Sequence, residues 1–177
     1  MEETIKTRNF LGFRGTTIQK AEAARLRREF DVSRGEDEYF GHGIYFFEED
    51  SKEAINFARF QRQIPQSDIG VIEVDIIVER AKVYDLVMTE VYNEYIKLID
   101  DIGRKYLGQR HKPRIKVPYD CRVINMICDD QGYKLVRGSF IPRHEKYQKL
   151  RVRGWTRIPR AHIQLCVRDE RIIKEVR

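Results

Sequence analysis

The stretch "YFGHGIYFFEEDSKEAINFAR", Tyr39–Arg59, organises the reading of this chain. Gly41 and Gly43 flank His42, an aromatic run follows, and an acidic turn leads into a segment of helical spacing. "GIYFF" reads as a short aromatic strand. Asp50 followed three residues later by Glu53 is a capping-box pattern. It opens a predicted helix through Arg62, with Ala54, Phe57 and Ala58 turned inward. A dinucleotide fingerprint would need a third glycine where Phe46 stands, and a side chain there blocks close helix–strand packing. The chain also lacks the G-x-x-x-x-G-K-[ST] pattern of an ATPase-type phosphate loop.

On the N-terminal side, "NFLGFRGTT" reads as a strand ending near Gly15. "TIQKAEAARLRREF" reads as a helix capped by Thr16 or Thr17, with Ile18, Ala21, Leu26 and Phe30 on or near one face. On the C-terminal side, "GVIEVDIIVE" alternates so that Ile72, Val74, Ile76 and Val78 share one strand face. "MTEVYNEYIKLIDDIGRKYL" carries a helical stripe of Val91, Tyr95, Leu98 and Ile102. "YDCRVINMICDD" reads as a helix capped by Asp120, and "YKLVRGSF" and "HIQLCVRD" read as strands around a long basic loop. Helices and strands mix without a βαβ rhythm, so the expected class is α+β in a single domain, 1–177.

The 177 residues suffice for one packed core, and 41% hydrophobic with 35% charged residues is a globular balance. No apolar run approaches the roughly 18–20 residues of a membrane span, and the first residues lack the apolar segment of a signal peptide. The expectation is a cytoplasmic protein with no membrane partner. Cys121, Cys128 and Cys166 have neither the even count nor the spacing of a disulfide framework or zinc site; Cys121 and Cys128 read as core. His42, His111, His144 and His162 are scattered, and no metal is expected. His42 itself reads as a solvated loop residue. The net charge of +6 favours an acidic partner. Pro142–Arg160 carries seven Lys/Arg against one Glu.

The order of parts — "GFRGT", then "FGHGIYF" with "SKEAINFA", then "HIQLCVRDERII" — resembles the diphtheria-toxin-like and poly(ADP-ribose)-polymerase-like ADP-ribosyltransferases. It also looks like a bacterial group of small stand-alone members, and some ADP-ribosyltransferases of this size are toxins of toxin–antitoxin or phage-defence systems. The resemblance implies an ADP-ribosyltransferase fold of split mixed β-sheets with flanking helices, and NAD+ as co-substrate. It implies that the backbone of Gly15, beside Thr16, holds the nicotinamide amide, and that Arg14 reaches a ribose hydroxyl or phosphate on the adenosine side. Tyr45 matches the motif tyrosine that stacks on the nicotinamide; a pyridinium on an aromatic face gains about 1–2 kcal/mol when desolvated. Phe57 is the nearest candidate for a second ring, offset by one residue, and reads equally as core. Gly41 and Gly43 would let the turn pass close to the ligand.

The third motif departs from the pattern. The family often carries a glutamate five residues before an aspartate in this strand; counting back from Asp169 lands on Gln164. Breaking the nicotinamide–ribose bond passes through an oxocarbenium-like state. A carboxylate about 4 Å away contributes roughly 4 kcal/mol at an effective dielectric near 20, close to a thousandfold in rate. Glutamine can orient the ribose 2′-hydroxyl but supplies no charge, so the expectation is single transfer rather than polymer formation, with the charge taken from the acceptor or another acid such as Glu170. Arg14, Tyr45 and Gln164 are thus the expected catalytic set.

Tyr147 and Trp155 interleave with Arg151 and Arg153 in the basic stretch, the pattern of a surface that tracks phosphates and stacks bases; a solvated basic loop is the alternative. Arg137, in "RGS", reads either as facing the NAD+ site with the acceptor or as part of a turn. The leading function is an NAD+-dependent mono-ADP-ribosyltransferase, a bacterial toxin or defence effector with RNA favoured over protein as acceptor and an antitoxin as partner. The alternative is a non-catalytic module of the same fold binding NAD+, ADP-ribose or RNA. An RNA 2′-phosphotransferase shares the fold, but its basic catalytic set is not recognisable here.

Overall fold

The computed structural model describes residues 6–107, 119–140 and 161–177, without the side chains of 103 and 105–107. Seven strands are described: β1 (Thr7–Thr17), β2 (Ile44–Glu48), β3 (Ile69–Glu79), β4 (Val83–Asp85), β5 (Leu135–Phe140), β6 (His162–Val167) and β7 (Ile173–Val176). Four α-helices accompany them: α1 (Ile18–Arg27), α2 (Ser51–Phe60), α3 (Thr89–Leu107) and α4 (Asp120–Gln131). The strands form one mixed sheet in the order β4-β5-β6-β2-β1-β3-β7. The α+β class stands. The sheet is hydrogen-bonded throughout rather than divided in two, yet it has a narrow seam. β1 pairs with β3 from Thr7↔Glu79 to Thr17↔Ile69, but with β2 only at Gly12↔Glu48 and Phe13↔Phe47. Beyond Phe13 the β2-facing edge of β1 makes no ladder with β2.

Strand alternation sorts the side chains onto two faces. One face is closed by α1: Phe10, Ile44, Phe46, Val74, Ile76 and Leu165 pack with Ala21 and Ala24. The expected alternation of Ile72, Val74, Ile76 and Val78 holds, and all four are buried there. The α1 stripe is a correction, because the helix offers its two alanines while Ile18 and Leu26 are exposed. The helix ends at Arg27, and Phe30 packs edge-on against Phe46 from beyond its end. Small side chains let α1 approach the strands closely, which the larger residues would prevent. Thr17, one of the two expected caps, accepts a hydrogen bond from the Lys20 N–H.

The other face is covered by α3 and α4 at the β4–β5–β6 end, where Tyr84, Tyr95, Ile124, Cys128, Val136 and Cys166 form a second core. The α3 stripe Val91, Tyr95, Leu98 and Ile102 packs into it as expected, and Cys121 and Cys128 are both buried thiols. Asp120 does not cap α4. It is the first helical residue, and its carboxylate accepts the Tyr95 hydroxyl instead. The second half of this face carries α2 over β1. Asp50 Oδ1 accepts the Glu53 N–H at 2.9 Å, so the predicted cap is present, and the helix stops at Phe60. Among the described residues no helix is long and apolar enough to cross a membrane.

Candidate functional site on the β2–β6 face

β2 and β6 are antiparallel neighbours, with Tyr45 opposite Cys166 and Phe47 opposite Gln164. Side chains of paired residues share a face. Tyr45, Phe47, Gln164 and His162 therefore stand together on the face that also carries α2. Phe57 reaches down from α2 to lie 5.7 Å from Phe47, ring centre to ring centre. The structure thus brings together three residues singled out in the sequence: Tyr45, Gln164 and Phe57. Gln164 is buried.

The hydroxyl of Tyr45 donates to the Gly41 carbonyl at 2.6 Å and accepts the Phe40 N–H at 3.1 Å. Burial pushes this phenol above its usual range, with the neighbouring Cys166 and Glu38 adding to the effect and the Phe40 hydrogen bond opposing it. The tyrosine therefore pins the turn before β2. Gly41 sits at φ +79°, a conformation open to glycine, and the Asn125 side chain lies where a Cβ would go. Asn125 also accepts the His42 N–H, while the His42 side chain is exposed as expected. Gly43 exchanges two backbone hydrogen bonds with Ser33, and a Cβ there would stand 2.5 Å from Cys166 Sγ. Its smallness serves the β2–β6 contact. Burial pushes the Cys166 thiol up to about 12, so it is inert at neutral pH.

Gly15 is required for a reason the sequence did not show. A Cβ on it would lie 2.2 Å from the Ala54 carbonyl oxygen and 2.8 Å from Ala58 Cβ. The glycine seats α2 on β1; the atoms crowding it are helix, not open space.

Arg14 and Thr16 alternate to the opposite face, with Ile72. Both are buried and line a cleft of about 270 Å³ with Lys20, Phe30 and Asp31. Arg14 Nη1 donates to the Asp31 carbonyl at 2.9 Å, and the Asp31 carboxylate, 4.0 Å away, is engaged by Lys20 at 2.8 Å. Burial pushes Arg14 down to about 10, with Arg62 adding repulsion and Asp31 and Glu38 opposing it. Burial, with repulsion from Asp37, raises the Glu38 carboxyl.

Arg137 is a correction. "RGS" lies inside β5 rather than in a turn, and Arg137 pairs with Leu165, which places it on the α1 face, away from Gln164. Its guanidinium grips Glu48 through Nε at 2.7 Å and Nη2 at 3.2 Å, and Nη1 meets Asp85 at 3.3 Å. Arg8 adds a contact to Asp85 at 2.6 Å. This is a half-buried ion network, already satisfied. Tyr147, Arg151, Arg153 and Trp155 lie outside the described residues. Glu170, the suggested substitute acid, is exposed beyond the far end of β6 and lines a different cleft with Arg34, His42 and Arg168.

The acids on the Gln164 face are others. His162, buried, sits between two carboxylates: Nδ1 is 2.9 Å from Asp50 Oδ2, and Nε2 is 3.6 Å from Glu53 Oε2. Its Nε2 is buried without a hydrogen-bond partner. Sequence reading treated Asp50 and Glu53 only as a cap and His162 only as one of four scattered histidines. The signal that was available is the spacing His162-x-Gln164, which in a strand puts both residues on one face.

No known protein-family profile matches the chain. An uncharacterized protein of the archaeon Methanocaldococcus jannaschii is 27% identical over 185 aligned residues, covering 93% of this chain and 84% of that protein. No solved structure matches.

Proposed function

We propose that the chain is an NAD+-dependent mono-ADP-ribosyltransferase. The observation that supports this most is the joint presentation of Tyr45, Phe47, Gln164 and Phe57 on one sheet face beside a cluster of acids. Rings suit a pyridinium, and the glutamine amide suits a ribose hydroxyl. The carboxylates of Asp50 and Glu53 lie on the side where positive charge would develop on the sugar, a better-placed source of negative charge than Glu170. Arg14, across the seam, is the guanidinium for the phosphates. The acceptor in this reading is nucleic acid, RNA first, because residues 141–160 are strongly basic. A toxin or defence effector held by an antitoxin, acting in the cytoplasm, is the biological setting that the sequence resemblance favours.

A second reading has its own observation. Gln164 carries no charge where bond cleavage calls for one, which suits a non-catalytic module that binds NAD+ or ADP-ribose. One experiment separates the two. Wild type and Gln164→Ala are incubated with adenylate-labelled NAD+ and cell extract, and products are digested separately with RNase, DNase and protease. The expected result is label on wild type's product that is lost with RNase, and about tenfold less label for Gln164→Ala, the loss of one well-placed hydrogen bond. Label lost only with protease keeps the transferase and moves the acceptor to protein. NAD+ binding with no label in any fraction selects the binding module.

A further inference from the structure

His162 lies between two acids, but its Nε2 is sealed from solvent, so no ligand reaches it. The exposed apolar side of α3, with Tyr92 and Ile96, has nothing in the structure to say what covers it. Arg62, just past the end of α2, is different, because its surroundings specify a ligand.

We propose that Arg62 and Arg14 form a diphosphate clamp, the two guanidiniums closing from opposite sides of β1 on the linked phosphates of the donor dinucleotide. This rests on the NAD+ reading above and adds to it a binding residue and the part of the donor that it holds.

The packing of α2 places Arg62. Ala54 and Ala58 sit on Gly15, where a Cβ would lie 2.2 Å from the Ala54 carbonyl oxygen and 2.8 Å from Ala58 Cβ. Arg62 follows Ala58 by about one helical turn, and its N–H donates to the Phe57 carbonyl at 3.2 Å. The end of α2 therefore lies next to Gly15 and its neighbours, in the stretch where β1 makes no ladder with β2. The Arg62 guanidinium carbon stands 5.7 Å from the centre of the Phe57 ring, a cation–π contact that holds the side chain on the Gln164 face. Arg14 leaves the other face of β1 and lines the cleft there with Lys20, in the first turn of α1.

The two guanidiniums are short of anions. Among the described residues the Arg62 side chain makes no hydrogen bond and no ion pair. Of the Arg14 guanidinium only Nη1 is hydrogen-bonded among them, to the Asp31 carbonyl. The Asp31 carboxylate stands 4.0 Å from Arg14 and is engaged by Lys20 at 2.8 Å. Arg62 repels Arg14, and both arginines act on Asp31 and Glu38, so the two side chains converge on one region. Like charges held together in this way are stabilised by an anion between them. Each guanidinium fork takes two oxygens of one phosphate, so a facing pair of forks matches two linked phosphates better than one.

Arg62 is exposed, so Arg62→Gln removes the charge without opening the core. Affinities for ADP, AMP and NAD+ are measured by calorimetry on wild type and Arg62→Gln, with melting temperature in the absence of ligand and label transfer from adenylate-labelled NAD+. Wild type is expected to bind ADP about tenfold more tightly than AMP. Arg62→Gln is expected to weaken ADP and NAD+ about tenfold, the usual worth of a contact to a charged group, and to leave AMP within about threefold. Its melting temperature should stay within about 2 °C of wild type. ADP affinity in Arg62→Gln within about threefold of wild type overturns the clamp, and label transfer by wild type then leaves the transferase standing. Equal weakening of ADP and AMP overturns it too, because Arg62 then serves no second phosphate. A wild type that binds ADP through Arg62 but transfers no label keeps the clamp and overturns the transferase. A wild type that binds none of the three nucleotides overturns both.

Discussion

Gly15→Ala is expected to lower the unfolding free energy by about 3 kcal/mol, at the upper end of the usual overpacking range. For a domain of this size that is a fall in melting temperature of roughly 6–12 °C. The added Cβ would meet a backbone oxygen at 2.2 Å and the Ala54 carbonyl carbon at 2.8 Å. Neither can rotate aside as a side-chain tip could. Relief requires α2 to lift from β1, and that would uncover Ala54 and Ala58, both fully buried. It would also drag Phe57, Asp50 and Glu53 off the Gln164 face. Gly35→Ala is the matched control. Its Cβ would meet the movable Asp37 carboxylate at 2.8 Å, and the expected change is within about 0.5 kcal/mol. If Gly15→Ala melts within about 2 °C of wild type, α2 is not seated on β1 as described.

Arg137→Met should cost about 3 kcal/mol, for an electrostatic reason. The side chains of Arg137, Glu48 and Asp85 are 14%, 16% and 5% exposed. Burial works against the arginine's charge, but hydrogen bonds and charge from Glu48 and Asp85 outweigh it and hold its proton more tightly than usual. Removing the arginine strands two carboxylates in a weakly solvated place, and breaking such a pair from one side costs about 3–5 kcal/mol. The lower figure applies because Arg8 still reaches Asp85. Glu48 is the acid left exposed to the loss, so adding Glu48→Gln to Arg137→Met should return part of the stability. Urea denaturation of wild type, single and double variants checks this. A double variant less stable than Arg137→Met alone would mean that the stranded charge is not the source of the cost.

Much of the fold could be read from the chain because it depends on local period. The alternation Ile72-Val74-Ile76-Val78 and the α3 stripe were legible, since a strand repeats every 2 residues and a helix every 3.6. The α1 face was not. Its sequence offers both a large-residue stripe and an alanine pair, and only the close approach of helix to sheet favours the alanines.

The site divides in the same way. Tyr45, Gln164 and Phe57 were named through motif order; strand pairing puts Tyr45 and Gln164 on one face, and Phe57 reaches Phe47 on that face from α2. Arg14 and Arg137 were named beside them, yet both point to the α1 side. One residue's shift along a strand reverses the face, and no local period states which of two adjacent residues shares the Gln164 face. Asp50 and His162 are separated by 112 residues of chain. Their meeting depends on β2 pairing with β6 and on the cap that starts α2 above them. Composition, periodicity and motif order by themselves determined an α+β domain with a short aromatic strand after a Gly-His-Gly turn. Which side chains share a face, which glycines are filled by a helix, and which histidine lies between two acids were decided only by tertiary structure, because each depends on the register between strands distant in sequence.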